Sequence, residues 1–190
     1  MVNDLTKVRV NDYLINRFTM AILPVENKFC SQVIEYEKEI FVEKRPMEVI
    51  DQSCKYFGSS YSGRKTGTKD LMKVTHKPPI VIDPANSIYF FPTTSSTRAH
   101  CAWISHSFVK EYSATKEDNT KIIFTNGKQL NVPVSVGSFE NQLFRTAQLR
   151  TIISSRIEQE QRKMNMLLLP KNEKEVNAFY EQMIIKMNQF

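Results

Sequence analysis

Three cysteines in 190 residues, Cys30, Cys54 and Cys101, are odd in number and far apart, which excludes a disulfide framework. A reducing, cytoplasmic setting is the simplest reading. No run approaches the roughly 18 apolar residues of a membrane span, and the opening MVNDLTKVRV is too polar for a signal peptide. Motifs of catalysis and metal binding are missing too. There is no G-x-S-x-G elbow, and His100, Cys101 and His106 do not match the C-x2-4-C or H-x3-5-H spacing of zinc sites. In an extended HCAWISH, His100 and Cys101 point to opposite faces, so a buried Cys101 beside a surface His100 is expected. Asp83 before Pro84 reads as a turn former rather than a base. Neither a cofactor nor an enzymatic activity is indicated. Helix-turn-helix, zinc-finger and basic-zipper patterns are also lacking.

What the chain does have is hydrophobic content for one compact domain, 41% of residues, and a net charge of +6. That charge is unevenly placed. Residues 58–77 carry Arg64, Lys65, Lys69, Lys73 and Lys77 against Asp70 alone, a window of +4 that leaves only +2 for all other residues. The window begins GSSYSGRKTGTK, one inserted Arg away from the nucleotide-binding G-x-x-x-x-G-K-[ST]. A P-loop leaves a strand and enters a helix, so that backbone N–H groups and the helix dipole converge on phosphate. Here Gly58 instead follows a helix of about three turns, with Pro46 at its start and Met47, Ile50, Cys54 and Phe57 on one face. Gly58 is its expected left-handed cap. The segment after it reads as a basic Gly/Ser loop, and DLMKVTHKPP as extended.

The rest of the chain is strand-like and then helical. YLINRFTMAIL, CSQVIEY, EIFVEK, IVIDP, SIYFFP, CAWISHSFVKEY and TKIIFTNGKQLNVPV read as strands, with Asn126-Gly127 marking a type I′ hairpin. Ser138 is a candidate N-cap for a long helix over residues 139–163, with Leu149, Ile152, Ile153 and Ile157 as its apolar stripe. A second amphipathic helix is expected near the C-terminus, burying Val176, Phe179, Tyr180, Met183 and Met187. The apolar MLLLPK lies between the two as an extended peptide. The fold class is α+β: a largely antiparallel, β-rich body with one short helix in its N-terminal half and two C-terminal helices. Residues 1–163 are taken as one domain and 164–190 as a tail.

Nucleic-acid binding fits the charge pattern best. The basic window mixes cations with hydroxyls and small residues, suited to phosphate contact and counterion release. TTSSTRAH at 93–100 repeats the recipe with Arg98, and the long helix adds Arg145, Arg150 and Arg156. At about 100° per residue, Arg145 and Arg156 lie about 20° apart and Arg150 about 140° from Arg145. A single-strand binder stacking bases on Tyr61, Tyr89 and Trp103 is the competing reading. Strand alternation puts most of Tyr89, Phe90, Phe91 and Trp103 in the core instead. A third reading is an enzyme built on His76, His100 and His106.

The blocks DQSCKYFGSSYSGRKTGT, HKPPIVIDPANSIYFFPT, SSTRAHCAWISH, FTNGKQLNVPVS and SFENQLFRTAQLRT resemble the competence transcription factor (ComK) family of Gram-positive bacteria, over about residues 50–152. The resemblance implies a DNA-binding activator of DNA-uptake genes that binds paired AT-rich boxes through the minor groove, with more than one subunit per promoter. Arginine and lysine can read such a groove by its shape, without a recognition helix. The candidate DNA contacts are Arg64, Lys65, Lys69, Lys73, His76, Lys77, Arg98, Arg145 and Arg150. The implied partners are double-stranded DNA, further copies of the chain and RNA polymerase, in a cytoplasmic, nucleoid-associated protein. Family members also carry an M-L-Y-P-K-like peptide read by an adaptor that delivers them to a Clp protease. Met166, Leu167, Leu168, Leu169, Pro170 and Lys171 correspond to it, with leucine in place of the aromatic.

Overall fold

Runs such as SIYFFP bury consecutive apolar side chains, which a strand can do only when both faces of its sheet are covered. The computed structural model describes residues 8–25 and 30–168, and beyond them Asn177, Tyr180, Glu181, Ile184, Ile185 and Met187. The chain divides into two compact units, Met1–Ile152 and Ile153–Phe190.

The first unit opens with four strands, β1 (Val8–Val10), β2 (Thr19–Pro24), β3 (Ser31–Glu35) and β4 (Glu39–Val42), followed by two helices, α1 (Pro46–Tyr56) and α2 (Tyr61–Met72). Then come β5 (Ile80–Asp83), β6 (Ile88–Pro92), β7 (Trp103–Ser105), a 3-10 turn over His106–Phe108, and β8 (Val109–Ala114), β9 (Thr120–Phe124) and β10 (Gln129–Val132). The long helix α3 (Val136–Leu168) follows. Seven strands form one sheet in the order β1-β4-β3-β2-β7-β6-β5, and three form a second in the order β10-β9-β8. Every pairing is antiparallel except β1 with β4. The α+β class is as expected.

The large sheet is covered on both sides. Ile22, Val33, Ile80, Ile82, Phe90 and Trp103 pack with Val49, Ile50 and Cys54 of α1. Met20, Ile34, Phe91 and Ile104 face the other way, against Ile122, Phe124 and Val132 of the small sheet and Phe139 of α3. Phe90 and Phe91 thus serve opposite layers, as strand alternation requires. Met20 and Ala21 share one layer because β2 shifts register between Thr19 and Ala21.

Several expectations are corrected. The segment read as one strand, CAWISHSFVKEY, is broken by the 3-10 turn and passes from one sheet to the other. Phe18, expected in a strand, precedes β2 and is exposed. The Asn126-Gly127 hairpin forms, but only Gly127 has positive φ, +83°. Gly127 N–H donates to the Phe124 carbonyl and Phe124 N–H to that of Lys128. This is a three-residue loop with a glycine bulge, not a two-residue type I′ turn. The N-cap of α3 lies one turn earlier than Ser138. Ser138 N–H donates to Ser135 Oγ, and the helix starts at Val136.

In the second unit α3 runs on to Leu168, so Met166, Leu167 and Leu168 are helical rather than extended. Methionine and leucine favour helix, and the nearest proline is Pro170. Met166 is 72% exposed, and Leu169, Pro170 and Lys171 lie outside the described residues. Ile157 of the expected stripe is also exposed. Tyr180 and Met187 are helical but exposed, not buried. A helical period names a face; how far that face is covered depends on what packs there. Val176, Phe179 and Met183 lie outside the described residues. Among the described residues no helix is long and apolar enough to cross a membrane.

Candidate nucleic-acid interface

The basic window is not a loop. Gly58 (φ +73°) ends α1 as expected, but Ser60 then caps a new helix, its Oγ accepting from Gly63 N–H at 3.0 Å. Tyr61 N–H donates to Asp51 Oδ1 at 2.9 Å, and Lys55 Nζ pairs with the same carboxylate at 2.7 Å. These contacts, Lys55 foremost, hold the Asp51 carboxyl below its ordinary range. Helix α2 forms despite Gly63 and Gly67, each of which costs about 1 kcal/mol relative to alanine. Its inner face, Tyr61, Thr68, Leu71 and Met72, is partly or fully buried, and that packing outweighs propensity. The signal was in the sequence as a recurrence at i, i+7, i+10 and i+11, masked by the two glycines and the basic charge.

Tyr61 ties this helix to the body. Its ring meets Trp103 edge-on at 5.8 Å, and its hydroxyl donates to Ser96 Oγ at 2.8 Å. Burial raises its pKa above the ordinary tyrosine value. Lys65 Nζ lies 5.7 Å from the centre of the same ring. Arg64 is half-buried, and its Nε has no hydrogen-bond partner among the described residues. Burial pushes the nearby Cys54 thiol up to about 11, against the pull of Arg64. Cys101 is likewise pushed up to about 11 by burial, and both thiols are shielded from solvent.

The Tyr61–Ser96 bond brings the 93–100 segment to the start of α2. There Arg98 N–H donates to Ser95 O and Cys101 N–H to Arg98 O, a tight turn that leaves the Arg98 side chain exposed. At the other end of α2, Lys73 takes a left-handed conformation (φ 56°) as C-cap, and Lys77 is left-handed as well (φ 47°). Between them, residues 73–77 form an irregular linker with Lys73 and His76 exposed. Arg145 Nη1 donates to the His76 carbonyl at 3.5 Å, and Lys77 Nζ donates to Ser138 Oγ at 3.2 Å. Arg64, Lys65, Lys69, Lys73, His76, Lys77, Arg98 and Arg145 are thus linked through α2, the linker, one turn and one rim of α3. Arg150 lies on the opposite rim, and His106 is held below the ordinary histidine pKa by its own burial first and by the charge of Arg150 second.

Seen along α2 at 100° per residue, Ser62, Thr66, Asp70, Gly63 and Gly67 fall within about 140°. All five are exposed, and Lys65 and Lys69 border this small-residue face. A Cβ added at Gly67 would meet nothing within 4 Å. Gly67→Ala is therefore expected to stabilise the fold by about 0.5–1 kcal/mol, read as a rise in the urea midpoint. Should the midpoint stay put or fall, Gly67 has a structural role not visible in its surroundings.

The remaining candidates take structural places. Trp103 and Tyr89 are buried in the core, so two of the three stacking platforms of the single-strand reading are removed. Cys101 is buried and His100 exposed, as expected. Asp83 accepts from Ala85 N–H at 3.0 Å and Asn86 Nδ2 at 2.6 Å, a turn former. Among the described residues no group of three or more His, Cys, Asp or Glu is placed to hold a metal ion.

The family model described as ComK protein matches residues 10–158, a span that contains every one of these basic groups. The chain belongs to the ComK family. It is 46% identical over 172 residues, 89% of this chain and 90% of the other, to a protein of Bacillus subtilis (strain 168) named "Competence transcription factor". No solved structure matches. As a ComK-family member the chain is a competence transcriptional regulator, not an enzyme. The sequence shows the basic groups but not α2, nor the contacts of Ser138 and Gln142 with Lys77, and the bonds concerned join residues 35 to 65 positions apart.

Proposed function

We propose that this chain is a double-stranded DNA-binding activator of DNA-uptake genes, contacting paired AT-rich boxes through their backbone and minor groove. The observation that supports this reading is the linkage, by hydrogen bonds and chain continuity, of α2, the 73–77 linker and the 95–98 turn, each of which bears basic side chains. A helix is about 10–12 Å across with its side chains, and the minor groove of B-DNA is about 6 Å wide. Helix α2 is therefore too thick to enter. The N-terminal part of its outer face, Ser62, Gly63, Thr66 and Gly67, suits close approach to phosphates, with Lys65 and Lys69 neutralising them, while the Asp70 carboxylate limits that approach to this part of the helix. The thinner linker and turn, bearing Lys73, His76 and Arg98, are the parts narrow enough for the groove. Arg64, Lys77, Arg145 and Arg150 supply further positive potential. Residues 1–163 carry this activity, and several copies bind each promoter alongside RNA polymerase in the nucleoid of the cytoplasm. Met166–Leu168, with Leu169, Pro170 and Lys171, form the adaptor peptide for Clp proteolysis.

Fluorescence anisotropy tests this with three duplexes: two A/T boxes one or two turns apart, the same boxes moved by half a turn, and a scrambled sequence. Preference for the phased duplex is expected, with a log–log salt slope near −4 to −5 for about five neutralised phosphates. Equal affinity for all three would reduce the chain to a generic polyanion binder.

A further inference from the structure

One of the side chains that hold the basic linker is neither charged nor exposed. Gln142 of α3 is 2% exposed. Its Nε2 donates to the Lys77 carbonyl at 2.9 Å and to the Pro92 carbonyl at 2.8 Å. Two carbonyl acceptors fix the amide with its nitrogen toward them, and the oxygen has no partner among the described residues. Leaving a buried acceptor unmatched is costly, so the two bonds made by the nitrogen outweigh that loss.

Gln142 does not act alone. Ser138, Gln142 and Arg145 stand at i, i+4 and i+7 on one ridge of α3; Ser138 and Gln142 meet Lys77, and Arg145 meets His76. The linker that α2 holds at Lys73 and this ridge holds at residues 76 and 77 has a backbone unfavourable for its sequence. Lys73 and Lys77 are both left-handed, a region in which a Cβ is crowded and glycine is not. An irregular five-residue linker with two such lysines would sample many conformations if untethered. Through Pro92 the same amide joins the linker to the end of β6, hence to the large sheet.

We infer that Gln142 is a positioning residue for DNA recognition, clamping the 73–77 linker to α3 and β6 so that Lys73 and His76 are presented in one fixed conformation. It touches no DNA. Arg145 belongs to the same clamp through the His76 carbonyl. The inference rests on the proposed reading that the linker meets the duplex. It explains why a buried glutamine with an unmatched oxygen stands where an apolar residue would pack without that loss.

A double-mutant cycle tests it. Lys73→Asn removes one charge while keeping a residue that tolerates the left-handed region. In the parent protein it should weaken phased-duplex binding about fivefold at 0.15 M salt and reduce the salt slope by about 1. Gln142→Met should weaken binding about tenfold, and adding Lys73→Asn to it should change affinity and slope no further. A purely structural Gln142 would instead lower the melting temperature while Lys73→Asn kept its full effect; that additive result overturns the inference. So does parent-like binding by either single variant. Should Gln142→Met fail to fold, Gln142→Asn, whose amide falls one methylene short of both carbonyls, carries the same cycle. Lys65→Glu/Lys69→Glu separates the two levels. Loss of binding there with additive Lys73 and Gln142 effects sinks the clamp alone, whereas no response from any variant sinks the DNA-binding surface as well.

Discussion

Lys65→Glu/Lys69→Glu is expected to bind the phased duplex about 100-fold more weakly than the parent at 0.15 M salt. Each phosphate neutralised releases about 0.9 counterion, worth about fivefold at that salt concentration, and two lost contacts give about 25-fold. The two new carboxylates, repelled by the backbone, supply the remainder. The log–log salt slope should become less steep by about 2, so the variant and the parent converge as salt rises. Stability should change little by comparison. Lys65 loses its position over the Tyr61 ring, worth about 0.5–1 kcal/mol, while Lys69 makes no ion pair among the described residues. This pair is a cleaner probe than Arg64, whose Nε is buried and whose charge acts on Cys54 of α1. Anisotropy across a salt series, with a circular-dichroism melt of each protein, reads both quantities. Affinity within twofold of the parent at low salt would remove α2 from the interface.

The second large effect concerns the support beneath that surface. Trp103→Ala should cost about 3–5 kcal/mol, a large part of the 5–15 kcal/mol by which a domain is held folded. Trp103 is 0% exposed on β7, between β2 and β6, and its ring is the floor on which Tyr61 stands. Losing it opens a cavity under the first turn of α2, so duplex affinity should fall together with stability. Trp103→Phe should be far milder. The indole N–H has no partner among the described residues, so phenylalanine forfeits volume but no hydrogen bond. Urea midpoints of the two variants give the comparison. The same burial predicts blue-shifted Trp103 emission that neither single-stranded nor double-stranded DNA quenches. Strong quenching by single strands would revive base stacking and contradict the core position. A midpoint for Trp103→Ala close to the parent value would refute the account of how α2 is supported.

Both predictions turn on α2, the element that sequence reading placed wrongly. Two glycines, three hydroxyl residues and a dense positive charge read locally as a flexible loop, and by propensity alone they are one. The helix exists because Thr68 is buried and Tyr61, Leu71 and Met72 are partly buried, and because Ser60 and Asp51 satisfy its first N–H groups. Asp51 belongs to the preceding helix, so this stop for the N-terminus cannot be seen within the segment itself. The apolar stretch at Met166–Leu168 misled in the opposite direction. The proline beyond it suggests an extended peptide, yet nothing before Pro170 interrupts a strongly helix-forming run.

By itself the sequence determined the α+β class, the first helix with its glycine cap, the Asn-Gly hairpin, the aromatic core and the family. Each is written in neighbours a few residues apart: a period of two or of 3.6, a proline, a glycine, a run of words. Only the tertiary structure decided that Lys65 and Lys69 ride on a helix, that Arg98 is joined to its start, and that Gln142 holds the linker from the far side of the chain. Those facts depend on hydrogen bonds between residues 35 to 65 positions apart, Tyr61 with Ser96 and Gln142 with Lys77. Such partners come together only when the sheet has formed and brought its two covered faces, with their helices, into place.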